Sequence, residues 1–289
     1  MNTPASAFRE RTVTTADGLS LYVRDYGDPK STATPVLCLS GLTRNSRDFH
    51  AFATRLSPQR RVLAMDYRGR GKSAYDPTVT NYRPDVYAND AITVAADSGI
   101  ERAVLVGTSL GGIVTMVLAA LKPGFMTGAV LNDIGPEIPV DAAARIGSYT
   151  GIKVQAASMD DAVLSLKERY AAAYPGLPDA RWRAIAEDVF MRDPDGTFRP
   201  AYDLGIAKAF AETGRPAAAD MWPLFLALKD IPVLAIRGAL SDVLTAETFD
   251  KMQAAKPDLL RVTVPDRGHI PLLDEPECLA AFDSFFRRV

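Results

Sequence analysis

Ser109 stands in Val104-Leu105-Val106-Gly107-Thr108-Ser109-Leu110-Gly111-Gly112, where an apolar run ends at a serine hemmed in by glycines and a second apolar run follows. A hydroxyl placed there is suited to nucleophilic attack, provided that a neighbouring base takes its proton. Ala103 to Val106 reads as a buried strand, and Ile113 to Leu121, closed by Lys122-Pro123-Gly124, reads as a buried helix. Only a sharp turn fits between them. In the G-x-S-x-G pattern the glycines let neighbouring segments approach, while the serine backbone is held strained with its hydroxyl exposed. A plain glycine-rich turn would give the same five letters, so the context must decide.

A base and an acid are therefore sought elsewhere. The chain has 2 histidines. His269 lies in Pro265-Asp266-Arg267-Gly268-His269-Ile270-Pro271, just beyond the last apolar run, whereas His50 follows Arg47-Asp48-Phe49 in a surface-like stretch. Two carboxylates compete to orient the imidazole. Asp242 ends the loop Gly238-Ala239-Leu240-Ser241, whose small residues can turn a side chain inward, and Asp133 follows Leu131-Asn132. The expected triad is Ser109, Asp242 and His269, with Asp133 read as a turn or hinge residue before Ile134-Gly135-Pro136. Attack on a carbonyl also needs two N–H donors for the developing oxyanion; the expected pair are those of Leu110 and of Leu42 in Ser40-Gly41-Leu42-Thr43-Arg44. Ser40, Ile134, Trp222 and Phe225 are the expected pocket walls.

These residues must be positioned by a sheet. Arg11 to Thr15 and Leu19 to Tyr26, joined through Asp17-Gly18, read as an antiparallel hairpin. From Pro35 onward, short apolar strands at Val36 to Leu39, Val62 to Met65, Ala103 to Val106, Ala129 to Leu131, Val233 to Ile236 and Val262 to Val264 alternate with helical stretches. That alternation predicts a doubly wound, mostly parallel α/β sheet, with any site beyond the carboxyl ends of the strands. Ser109, Asp242 and His269 each come just after such a strand. From about Gly135 to Pro223 the alternation stops and gives way to Ala-rich helical sequence broken at Tyr174-Pro175-Gly176, Asp193-Pro194-Asp195-Gly196 and Gly214-Arg215-Pro216. The expected organisation is a core of residues 1–134 and 224–289 with a helical cap, 135–223, over the site.

Composition excludes several classes. Lys+Arg 33 against Asp+Glu 35 gives a formal net charge of -2, so nothing in the balance favours nucleic acid or an anionic membrane. The segment Asp66-Tyr67-Arg68-Gly69-Arg70-Gly71-Lys72-Ser73-Ala74 mimics nucleotide-binding signatures. Asp66 stands where a Walker loop needs its first glycine, and Tyr75-Asp76-Pro77 opens no helix toward a pyrophosphate. Cys38 and Cys278 read as small buried hydrophobes, not a disulfide, and no His/Cys cluster suggests a metal. No cofactor is expected. With neither a charged-then-apolar leader nor a run of about 18 apolar residues, a soluble cytoplasmic protein is the expectation. The sequence leaves its assembly, monomer or homo-oligomer, open.

The chain resembles the α/β-hydrolase fold superfamily, in particular its capped esterase, lactonase and haloperoxidase-like branch. The resemblance covers nearly the whole length and rests on the elbow Gly107-Thr108-Ser109-Leu110-Gly111, the segment Asp66 to Ser73, Asp242 and Gly268-His269. It departs at Ser40-Gly41, where that family commonly has His-Gly. The resemblance implies a serine hydrolase acting on a small carboxylic ester or lactone through an acyl-enzyme. It also admits a C–C bond hydrolase of keto acids on the same triad, a cofactor-free haloperoxidase or perhydrolase, and a non-catalytic receptor for a small ligand. Ser109 in place of the Asp of dehalogenases argues against those cousins, and Ile270 in place of a Trp lowers the standing of C–C cleavage.

Overall fold

In the computed structural model, which describes residues 7–212 and 220–289, eight strands form one sheet in the order β1-β2-β4-β3-β5-β6-β9-β10. The strands are β1 (Arg9–Thr14), β2 (Ser20–Tyr26), β3 (Val36–Leu39), β4 (Val62–Met65), β5 (Ala103–Thr108), β6 (Met126–Asn132), β9 (Val233–Gly238) and β10 (Leu260–Val264). The hairpin β1/β2 is antiparallel and joins β4 antiparallel, whereas every pairing from β4 through β10 is parallel. This is the mostly parallel sheet with an antiparallel start expected from the sequence.

Strands buried on both faces need helices on both, and the alternation along β5 shows the division. Val104 and Val106 point into one cluster with Phe52 of α1 (His50–Leu56) and Phe282 and Phe285 of α10 (Pro276–Phe285). Ala103 and Leu105 point into the other, with Tyr87 and Ala91 of α2 (Pro84–Asp97), Val114 and Leu118 of α3 (Leu110–Leu121) and Phe249 of α9 (Ala246–Ala255). Because α3 has apolar residues on all sides, it can lie between sheet and neighbouring helices with no wet face. Cys38 and Cys278 are both buried free thiols in the first of these clusters.

Between β6 and its sheet neighbour β9 the chain leaves the sheet. It forms α4 (Val140–Tyr149), α5 (Met159–Tyr170), α6 (Asp179–Val189), a small antiparallel pair β7 (Phe190–Arg192) and β8 (Phe198–Pro200), α7 (Gly205–Glu212) and α8 (Trp222–Leu226). The β7/β8 pair was not expected in a helical stretch; Asp193-Pro194-Asp195-Gly196, read as a break, is its turn, with Gly196 at φ +90. Gly214-Arg215-Pro216 lies outside the described residues. Part of this segment has a core of its own around Leu166, Trp182, Ala186 and Phe190. Ala142, Ile206 and Met221 instead join the main core, so the segment is packed onto the sheet domain.

Candidate active site

The tight strand-to-helix turn puts Ser109 at φ 52 and ψ -114, a conformation only a braced backbone holds for a non-glycine residue. Its glycines are steric necessities. A Cβ at Gly107 would run into the Gly111 carbonyl, and one at Gly111 into the Leu39 carbonyl. Ser109 Oγ then meets His269 Nε2 at 2.8 Å. On the far side of the ring, His269 Nδ1 lies 2.7 Å from Asp133 Oδ2.

The carboxylate that faces the imidazole is Asp133 and not Asp242, the residue expected there. Asp133 is completely buried, takes φ 55 at the end of β6, beside the strand that carries Ser109, and accepts from the Gly238 N–H (2.8 Å) and the Ser241 hydroxyl (2.5 Å) as well as facing His269. The small-residue loop after β9 does turn inward, but it presents donors. Its next residue, Asp242, points outward instead and forms a two-pronged pair with Arg145 of α4 at 2.6 and 2.7 Å, with both side chains about half exposed. An ionised carboxylate with three donors around it is stabilised where a lone buried charge would not be.

The loop carrying His269 is gripped by the inserted segment. Gly268 N–H donates to the Ala173 carbonyl at 2.6 Å, and a Cβ at Gly268 would press into Ala173. The Tyr174 hydroxyl donates to the Ile270 carbonyl (2.8 Å) and accepts from the Ile270 N–H (3.1 Å). The sequence marked Tyr174-Pro175-Gly176 only as a break. Nothing local to it announces a partner 96 residues away.

Leu110 is the first residue of α3, so its N–H has no acceptor within the helix and sits at the positive end of the helix dipole. Leu42 and Leu110 both border the cavity beside Ser109. The Leu42 loop is braced by Arg70, whose Nε donates to the Leu42 carbonyl at 2.9 Å. Arg70 is fully buried, and its Nη1 donates to the Arg68 carbonyl and to the Tyr87 hydroxyl (3.0 and 2.7 Å). This explains the false nucleotide motif. Asp66 accepts from the N–H groups of Ser46 and Lys72, Arg68 pairs with buried Asp76 and Asp90, and a Cβ at Gly71 would strike the Asp66 carboxylate. The segment is a polar clamp beneath the loop after β3. Burial pushes the Asp66 carboxyl up, against the pull of those two N–H groups.

Of the expected pocket walls, Ile134 borders the cavity. The other three do not. Ser40 is buried beneath the elbow, its hydroxyl unpartnered. Trp222 donates its indole N–H to Glu137 at 2.8 Å, tying the end of the inserted segment to its beginning, and Phe225 is core, edge-on to Trp222. Their aromatic, apolar character near the end of the inserted segment made Trp222 and Phe225 candidates for the wall. Their neighbours make them packing.

Ser109 lies at the meeting of two cavities. One, of 280 Å³, is bordered by Leu42, Leu110, Ile113, Ile134, Met221 and Leu224 among others. The other, a slot of 70 Å³, is bordered by His269, Arg44 and the rings of Tyr149, Tyr170, Tyr174 and Trp182. Arg44 is held by Asp48 through Nε and Nη2 at 2.7 and 2.9 Å. Beyond it Asp188 is pushed up to about 6, because burial and nearby Asp48 outweigh Arg44 and Arg47. Folding thus strengthens proton binding at Asp188, so the ionised side chain costs stability above pH 6 and not below the ordinary carboxyl range, near 4. Asp188→Asn is expected to raise the Tm at pH 8 and leave it unchanged at pH 3.5; thermal unfolding at the two pH values checks this, and a lower Tm at pH 8 contradicts it.

The family model described as the alpha/beta hydrolase family matches residues 36–281. The chain is 32% identical over 269 residues to a 3-hydroxybutyrate-oligomer hydrolase of Cupriavidus necator, covering 91% of each. It is likewise 32% identical over 271 residues to a 2-(acetamidomethylene)succinate hydrolase of Mesorhizobium japonicum, covering 92% of this chain and 91% of that one. Among solved structures, an alpha/beta hydrolase from Novosphingobium aromaticivorans superposes with a TM-score of 0.92 at 42% identity, over 98% of this chain and 99% of that chain.

Proposed function

The chain belongs to the alpha/beta hydrolase family, and from that premise we propose that it is a serine hydrolase cleaving small carboxylic esters or lactones through an acyl-enzyme. The observation that carries this reading is the unbroken run of contacts from Asp133 through His269 to Ser109, at 2.7 and 2.8 Å. Each member supplies what the others lack. His269 takes the Ser109 proton as Oγ bonds to the substrate carbonyl carbon, and Asp133 stabilises the resulting imidazolium and fixes its tautomer. The carbonyl oxygen becomes an oxyanion held by the Leu42 and Leu110 N–H groups. As the intermediate collapses, the bond to the leaving oxygen breaks and His269 hands that oxygen the proton. Water then attacks the acyl-enzyme with His269 again as base, which releases the acid and restores Ser109.

In this reading the inserted segment acts as a cap. It supplies walls to both cavities and grips the His269 loop through Ala173 and Tyr174. The relative from Cupriavidus necator, named a hydrolase of 3-hydroxybutyrate oligomers, supports ester chemistry. Hydrolysis of a panel of p-nitrophenyl esters and lactones of graded length tests the proposal. Measurable kcat/KM on at least one series is the expected result. Turnover of a dienone keto acid with no ester cleaved would replace ester hydrolysis with C–C cleavage on the same residues.

A further inference from the structure

The two cavities that meet at Ser109 differ in chemistry, and the position of His269 determines which end of a substrate each receives. In acyl transfer the base must return its proton to the leaving oxygen, so the leaving group lies on the imidazole side of the nucleophile. His269 borders the 70 Å³ slot. The 280 Å³ cavity is bordered by Ser109 and by both oxyanion donors, Leu42 and Leu110, but not by His269. A carbonyl whose oxygen sits on those donors and whose leaving oxygen faces His269 has one remaining substituent, the acyl chain, and the large cavity is what remains for it.

Its walls say what that chain is. No charged side chain among the described residues borders it. Its two phenols are already engaged, the Tyr82 hydroxyl donating to Asp203 and the Tyr87 hydroxyl accepting from Arg70. The rest is aliphatic or aromatic. Leu110, Ile113 and Val117 lie on one face of α3, at i, i+3 and i+7, so at 1.5 Å per residue the cavity follows the helix for about 10 Å away from Ser109. At its far end α8, which brings Leu224, packs against α3. An apolar cavity of about 150 Å³ takes a six-carbon ring; by that measure 280 Å³ takes at most about eleven carbons.

We infer that this enzyme is selective for linear aliphatic acyl groups of medium length, roughly eight to ten carbons, and that it carries the alcohol in the slot beneath Tyr149, Tyr170, Tyr174 and Trp182. The inference rests on Ser109 and His269 acting as nucleophile and base. It goes beyond that reading by assigning acyl and alcohol to opposite sides of the serine, with Val117 and Leu224 setting the length limit.

Two ester series test it, one with the acyl chain lengthened from acetate to dodecanoate as methyl esters, the other with the alcohol lengthened from methyl to octyl on acetic acid. In the first, kcat/KM is expected to rise about three- to fourfold per methylene, the equivalent of about 0.8 kcal/mol of burial, and to fall beyond about ten carbons. In the second it should stay flat or fall. Val117→Phe and, separately, Leu224→Phe should each lower the ratio of decanoate to butyrate kcat/KM at least tenfold. A ratio needs only folded enzyme, and the two variants lie on different elements. A rise with alcohol length in place of acyl length would overturn the assignment, as would a ratio unmoved in both variants. If no ester is cleaved and an organophosphonate leaves Ser109 unlabelled, it is the serine-hydrolase reading that fails; labelling and turnover with no acyl-length dependence would sink the inference alone.

Discussion

Ser109→Ala is expected to lower kcat by about 10⁶-fold, the loss measured when the nucleophile of a well-studied serine protease is removed. The size of the effect follows from the geometry. Among the described residues Ser109 Oγ is the one oxygen at hydrogen-bond distance from His269 Nε2, so alanine leaves the base without its side-chain proton donor. The two N–H donors remain, and they account for any residual rate above water. The variant should stay folded, because a serine hydroxyl is lost where Cβ and the strained φ of 52 are kept. Intact mass after treatment with an organophosphonate gives the complementary readout: one adduct on the wild type and none on Ser109→Ala. An adduct that survives the substitution would assign the nucleophile elsewhere.

Asp133→Asn should cost about 10⁴-fold in kcat, as the equivalent change does in a serine protease, whereas Asp242→Asn should cost less than tenfold. An amide at position 133 can offer its NH₂ to His269 Nδ1, which favours the tautomer with Nε2 protonated and unable to accept from Ser109. It also withdraws the negative charge that stabilises the imidazolium. Asp242 touches neither residue. Its bidentate pair with Arg145 is half exposed, and such surface pairs contribute about 0–1 kcal/mol. Steady-state kinetics of the two variants on one ester decide the matter. If Asp242→Asn proves the more damaging, the contact between His269 and Asp133 has no catalytic meaning.

The apolar runs and glycine placements carried the strand and helix assignments without help from the tertiary structure. Val36 to Leu39 and Val62 to Met65 are strands at the bounds read from the sequence, and the helix read from Ile113 to Leu121 is α3, which begins three residues earlier at Leu110. Ser109 and His269 were legible for a related reason. Ser109 follows directly on β5 and His269 lies in the loop after β10, and the direction of both strands is set by the parallel sheet, so local pattern delivers both to the same edge. Gly107 is likewise a local requirement, since a Cβ there would collide with the Gly111 carbonyl, whereas Gly111 answers to the Leu39 carbonyl that the fold brings against it.

The acid lay beyond such reasoning. Asp133 and Asp242 both follow strands, and their loops differ by nothing that propensity or periodicity can rank. The choice is made by strand order, which sets β6 next to β5 and thus Asp133 next to Ser109, and by donors drawn from 105 and 108 residues away, Gly238 and Ser241. The same holds for Arg70 beneath Leu42, Tyr174 against Ile270, and the indole of Trp222 on Glu137. Ser109 and His269 could be picked out from local pattern, because the turn and the loop that carry them each come after a strand of the parallel sheet. The carboxylate that faces His269, the Arg70 brace under Leu42 and the walls of the two cavities come from the fold, because each depends on contacts between segments whose separation along the chain leaves no periodic trace.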